Sequence, residues 1–129
     1  MTIENILDYK TIAVVGISED PTRPSHFVAS FLESHGYKII PVNPKLTQWE
    51  GKKCYPDLLS IPVKIDIVDI FRRSEAIPPI VDEAIAIKAK AVWMQEGIIN
   101  EDAASKARKA GIEVVMDKCL KTEYILKKL

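Results

Sequence analysis

Three short segments concentrate the side chains able to hold an anion or a flat ring. Gly16-Ile17-Ser18 ends an apolar run and is followed, across a polar loop, by Arg23-Pro24-Ser25. A glycine in that place lets a ligand approach the backbone closely. Ser18, Arg23 and Ser25 add donors, and a helix opened by Pro24 and Ser25 offers free amides and a partial positive charge to an anion. Ser25 can serve there as helix cap, as ligand donor, or as both. Phe71-Arg72-Arg73 supplies an aromatic ring and two guanidiniums, whose forked donors match phosphate oxygens; Glu75 or solvent are the competing partners. Gln95-Glu96-Gly97 follows another apolar run. Trp93, just before it, reads as core rather than ligand contact.

Other chemistries are poorly served. There is no GxGxxG and no GKT or GKS phosphate loop. The segment Val42-Asn43-Pro44-Lys45 places a cation where a dinucleotide site wants an acid for the ribose hydroxyls. This disfavours NAD and favours a more highly phosphorylated nucleotide. No Ser/His/Asp set, carboxylate pair or metal-ligand cluster is apparent, so no catalytic residue and no metal ligand is assigned and the chain reads as a binding module. His26 and His35 read as ordinary helix residues. Asp66 and Asp69, three apart in a strand, should point to opposite faces. Cys119 is the one nucleophile of interest, because a helix N-terminus with Lys118 and Lys121 nearby would favour its thiolate. A buried, inert thiol is the alternative. Cys54 falls in an irregular stretch and receives no role.

These segments sit at the ends of a regular alternation. Apolar strands are expected at Thr11–Gly16, Lys38–Val42, Asp66–Phe71, Lys90–Met94 and Glu113–Met116. Helices lie between them: one from Pro24 to Gly36 with Phe27, Val28, Phe31 and Leu32 on one face, one capped by Ser74 and one capped by Asn100, with a last one over Lys118–Leu126. Asn43 to Pro62 reads as a looser stretch. Strands alternating with helices predict an α/β fold: a doubly wound, Rossmann-like, five-stranded parallel sheet, most simply of order 3-2-1-4-5. In such a sheet ligands bind at the carboxyl ends of the strands. Every segment singled out above follows a strand.

The 129 residues suit one domain, 1–129, and 18 Lys+Arg balance 18 Asp+Glu. No global field would draw the chain to nucleic acid or an anionic membrane. The apolar runs are too short to span a bilayer. No signal peptide is visible, and two distant cysteines suit a reduced, cytoplasmic protein.

Six motifs in order — Gly16-Ile-Ser18 with Arg23-Pro-Ser25, Pro41-Val-Asn-Pro44, Gly51-Lys-Lys-Cys-Tyr55, Phe71-Arg-Arg73, Trp93-Met-Gln-Glu-Gly97 and Val115-Met-Asp-Lys-Cys119 — resemble the small stand-alone coenzyme A-binding proteins of prokaryotes. These are similar to the N-terminal domain of the succinyl-CoA synthetase α subunit. The resemblance covers about residues 5 to 125. It implies that CoA or acyl-CoA lies across the strand ends, with Gly16, Ile17, Ser18, Arg23 and Ser25 at the phosphates. Val42, Asn43, Pro44 and Lys45 would face the adenosine, and Gln95, Glu96 and Gly97 would line the CoA path. The synthetase's phosphorylated histidine belongs to a second domain with no counterpart in this sequence. A protein partner or a homodimer is compatible with this reading, as is a CoA-binding subunit of an acyl-CoA ligase. CoA ends in a thiol, so a mixed disulfide with Cys119 is a further expectation.

Overall fold

A computed structural model describes residues 2–129. Five parallel strands form one sheet: β1 (Thr11–Val15), β2 (Lys38–Val42), β5 (Ile67–Ile70), β6 (Ala91–Met94) and β7 (Glu113–Val115). Between β2 and β5 a small antiparallel hairpin pairs β3 (Gln48–Trp49) with β4 (Lys52–Lys53). The helices are α1 (Ile3–Leu7), α2 (Pro24–Ser34), α3 (Ile77–Ala86), α4 (Glu101–Lys109) and α5 (Leu120–Lys128).

Both sheet faces are apolar, as continuous runs such as Ile12-Ala13-Val14-Val15 require. Ala13, Val15, Val68, Ile70, Val92 and Met94 pack with α3, α4 and two residues of the long connection, Leu58 and Ile65. Ile12, Val14, Ile39, Ile67, Ala91 and Trp93 pack with α1, α2 and α5.

This division decides the strand order. The α/β class and the parallel five-stranded sheet are as expected, but the order is β2-β1-β5-β6-β7. Counting sheet strands along the chain, it runs 2-1-3-4-5, not 3-2-1-4-5. The β1–β2 helix and the later part of the β2–β5 connection, Leu58 and Ile65, cover opposite faces, while Trp49 and Cys54 of that connection lie on the helix side. Right-handed crossovers on opposite faces run in opposite directions across a sheet. The chain therefore reverses at β2, returns past β1, and pairs β5 with β1. The topological switch falls between β1 and β5, the same pair whose exits carry Gly16 and Phe71.

Local details refine the expected elements. α2 opens with Pro24 and is followed by Gly36 at φ +97°, the left-handed turn that stops it. Its buried residues include Ser25, Val28, Ala29 and Leu32, so its inner face is rotated from the expected one and Phe27 is 41% exposed. The N-cap residue is Arg23, with no side-chain cap bond, so Ser25 is not a cap. Ser74 lies in a short 3₁₀ turn before α3, and its hydroxyl accepts from the Ile99 amide. Asn100 does cap α4, accepting from the Ala103 amide at 3.0 Å. Asp66 precedes β5 and takes the Thr11 amide at 3.1 Å. Asp69 is wholly buried in mid-strand, between Val14 and Trp93.

Candidate functional site

The carboxyl ends of β1, β5 and β6 surround a cavity of about 950 Å³. Its wall includes Gly16, Ser18, Arg23, Ser25, Phe71, Arg72, Arg73, Gln95, Glu96, Gly97 and Cys119. Eleven of the sixteen residues singled out in the sequence thus meet in one place. A second cavity, of about 260 Å³, holds Val42 and Pro44 with Pro56, Asp57 and Leu58. Gly16 and Arg72 line both, so the two cavities adjoin across that pair.

Gly16 is fixed by two constraints. Its φ is +88°, and a Cβ there would stand 2.6 Å from the Phe71 carbonyl oxygen and 2.9 Å from Arg72 Cδ. Its amide donates to the Val42 carbonyl at 2.9 Å, extending the β1–β2 ladder by one step. Only a residue without a side chain brings the two strand exits this close.

The loop after Gly16 is held by its own turns and by its neighbours. Ser18 Oγ accepts from the Asp20 amide at 3.0 Å, and Asp20 in turn accepts from the amide and hydroxyl of Thr22. The Thr22 donors, the amide first, hold the Asp20 carboxyl below its usual range. Asn43 Nδ2 donates to the Ile17 carbonyl at 2.8 Å, while its Oδ1 accepts from the Lys45 amide at 2.9 Å. Asn43 therefore shapes the loop with both ends of its amide.

Three arginines and three carboxylates, Asp20, Glu75 and Glu96, line this cavity, but the arginines are not tied to them. Arg23, Arg72 and Arg73 are exposed, and none has an ion pair or side-chain hydrogen bond among the described residues. Glu75 does not pair with Arg72 or Arg73. Three guanidiniums and the open first turn of α2 face one cavity, which favours an anion there.

The far wall is more structural than its sequence suggests. Gln95 is buried, and its Oε1 accepts from the Leu120 amide at 3.2 Å, capping the start of α5. Gly97, at φ +83°, donates its amide to Asp117 Oδ1 at 2.6 Å. Trp93 is core, its indole donating to the Lys118 carbonyl at 2.8 Å. Cys119 occupies the N-cap position of α5, partly exposed. The expected lysines have other neighbours. Lys121 Nζ lies 4.9 Å from the centre of the Phe31 ring, and Lys118 lines a groove beside β7. Cys54 is buried, its thiol pushed up by burial, and it contacts the Asn43 carbonyl. Lys45 is exposed and lines neither of these cavities.

Sequence reasoning missed His26 and Trp49. Both bond the Ser18 carbonyl, at 2.8 Å and 2.9 Å. No local pattern announces them: the Trp49 contact depends on the β3–β4 hairpin folding back onto the loop, and the His26 contact on the turn that leads from Ser18 into α2. Among the described residues no group of three or more His, Cys, Asp or Glu could hold a metal ion, and no helix is long and apolar enough to cross a membrane.

Relatives follow the same outline. The chain is 41% identical over 119 residues to the uncharacterized protein YneT of Bacillus subtilis (strain 168), covering 92% of this chain and 88% of that one. A hypothetical protein from Pyrococcus horikoshii OT3 has the same fold at TM-score 0.93 and 41% identity, over 98% of this chain and 92% of that one. Acetate–CoA ligase [ADP-forming] I of Archaeoglobus fulgidus is 25% identical over 128 residues, 92% of this chain. The match spans only 19% of that ligase. A family model described as a CoA binding domain matches residues 10–125, so this chain, with its glycine-floored and arginine-lined cavity at the switch of its sheet, belongs to the CoA-binding domain family.

Proposed function

We propose that the protein binds free coenzyme A or acyl-CoA at the joined cavities. One observation carries this reading: three unpaired arginines and the open end of α2 converge on a cavity floored by Gly16. A diphosphate and a 3′-phosphate offer acceptors to guanidiniums that make no ion pair or side-chain hydrogen bond among the described residues. The diphosphate is assigned to Gly16, Ile17, Ser18, Arg23 and Ser25. The adenosine is assigned to the smaller cavity, lined by Val42 and Pro44, with Asn43 and exposed Lys45 of the same segment outside its wall. Phe71, Arg72 and Arg73 stand between the two, and the pantetheine arm runs past Gln95, Glu96 and Gly97 toward Cys119. A reduced, cytoplasmic setting suits both this thiol ligand and two free cysteines.

The test is calorimetric titration of the reduced protein with CoA, dephospho-CoA and NAD. Micromolar or tighter CoA binding, weakened without the 3′-phosphate and absent with NAD, is the expected result. No heat with CoA, on protein shown by mass to carry no ligand, removes the function and leaves the fold.

A finer element is a disulfide between Cys119 and CoA. The Cys119 thiolate attacks the S–S bond of CoA disulfide, one sulfur joins Cys119, and the other leaves as CoA thiolate. A second reading is favoured by the ligase relatives: the chain could supply the CoA site to a separate subunit that carries the chemistry. In that case acyl-CoA forms only when that subunit is added, and CoA binding alone is the property of this chain.

A further inference from the structure

His26 stands in the first turn of α2, buried, with both ring nitrogens engaged. Nδ1 is 2.8 Å from the Ser18 carbonyl oxygen, and Nε2 is 2.9 Å from Glu50 Oε1. Both partners are acceptors. A neutral imidazole has one N–H, so either tautomer sets a bare lone pair against one of them. Only the imidazolium donates to both. The Trp49 ring lies beside it, with centroids 5.0 Å apart, and its indole N–H donates to the same carbonyl.

Glu50 reaches His26 from the tip of the β3–β4 hairpin. Glu50 and Gly51 have φ +48° and +75°, the positive values that a tight two-residue hairpin turn requires. Glu50 holds this conformation without glycine's freedom, and it is the residue that meets His26. Other charged groups surround the pair. Glu19 and Asp20 follow Ser18 in the loop. Arg23 lies one turn earlier on the same element. Lys52 sits over the Trp49 ring and pairs with Glu33 of α2.

We propose that protonated His26 is a positioning residue that ties the ligand loop to the β3–β4 hairpin. Its two N–H bonds join Ser18 to Glu50, and loss of one proton releases one of them. Fixing the Ser18 carbonyl fixes the planar peptide that follows, and so the direction of the Glu19 amide within the loop. Ligand binding at the cavity is therefore coupled to protonation at His26. The coupling rests on the reading of that cavity as a CoA site, whereas the clamp belongs to the free protein.

Two readouts separate these. Nitrogen-15 NMR of the imidazole in the ligand-free chain reports the clamp. Calorimetry with CoA at pH 6 and pH 8.5 reports the coupling, for wild type, His26→Gln and Glu50→Gln. The CoA phosphate titrates in the same range, so wild type is compared with His26→Gln at each pH. The expected result is an imidazole protonated at both nitrogens that loses its proton at lower pH in Glu50→Gln. Wild type should also lose about fivefold more affinity than His26→Gln between the two pH values. A singly protonated ring at pH 6, or a ratio of affinities that does not change with pH, overturns the proposal. No CoA heat with wild type at either pH, beside a doubly protonated ring, overturns the CoA reading and the coupling while the clamp stands.

Discussion

The carbonyl oxygen of Phe71 lies 2.6 Å from where a Cβ of Gly16 would be, so the exit of β1 is packed against the backbone that leaves β5. Backbone cannot move aside as a flexible side chain can. Gly16 also holds φ +88°, which costs an L side chain roughly 1–2 kcal/mol. Gly16→Ala should therefore destabilise the protein by at least about 2 kcal/mol, strain and clash combined, and lower its thermal midpoint. It should also weaken CoA binding, because the two cavities adjoin at this residue. Denaturant unfolding and titration on the same sample measure both. Unchanged stability would mean that the two strand exits separate freely.

Arg23 and Arg72 should separate affinity from stability. Both are exposed and unpaired, so truncation removes no internal partner. Arg23→Ala and Arg72→Ala should each weaken CoA binding by about 1.5–3 kcal/mol, the worth of a charge-assisted bond to phosphate. Thermal stability should stay nearly constant. Arg72 lines both cavities, so its loss should also reduce the preference for CoA over dephospho-CoA. A large fall in stability with unchanged affinity would make either arginine structural.

Much of this site was legible because its residues follow strands whose apolar runs are unmistakable. Gly16, Arg23, Arg72 and Gly97 needed only the rule that ligands gather at strand ends. The order of those strands was not legible. It depends on which face Leu58 and Ile65 cover, and a connection without a helix carries no periodicity to reveal that. The same blindness hid the β3–β4 hairpin, whose two-residue strands are too short for an alternating pattern. α1 was missed likewise, since its five residues complete little more than one turn. Asn43 and Gln95 show a different limit. Gln95 lines the larger cavity and Asn43 lines neither, and both bond the protein's own backbone, through amides whose partners are 26 and 25 residues away. Ser25 shows the reverse, since the cap that its type suggests is made by no side chain at all.

Cys119 and Cys54 should respond oppositely to oxidants. Cys119 is partly exposed at the start of α5 and lines the cavity, whereas Cys54 is buried with its thiol pushed up. After treatment with CoA disulfide, intact mass should show one added CoA. Cys119→Ala should abolish that adduct and Cys54→Ala should not. An adduct that forms equally well on Cys119→Ala would remove the disulfide from the proposed function.

Asp69 should set a pH dependence of stability that has nothing to do with the ligand. Its carboxyl is wholly buried, neither oxygen has a hydrogen-bond partner among the described residues, and desolvation raises its pKa well above the ordinary value. The folded chain thus keeps a proton that the unfolded chain releases above about pH 4. Where the unfolded state binds fewer protons than the folded one, stability falls as pH rises. The contribution is complete below pH 4 and is lost progressively up to the raised folded value. Each unit of that rise costs about 1.4 kcal/mol at pH values above it. Asp69→Asn removes the ionisation and keeps the shape. It should stabilise the protein at pH 8 by at least about 1 kcal/mol relative to pH 5, measured as the difference from wild type in urea unfolding. Other carboxylates titrate alike in both proteins and cancel in that difference. Parallel profiles for the two proteins would mean that Asp69 ionises in the fold at its ordinary pH, with a charge or donor beside it.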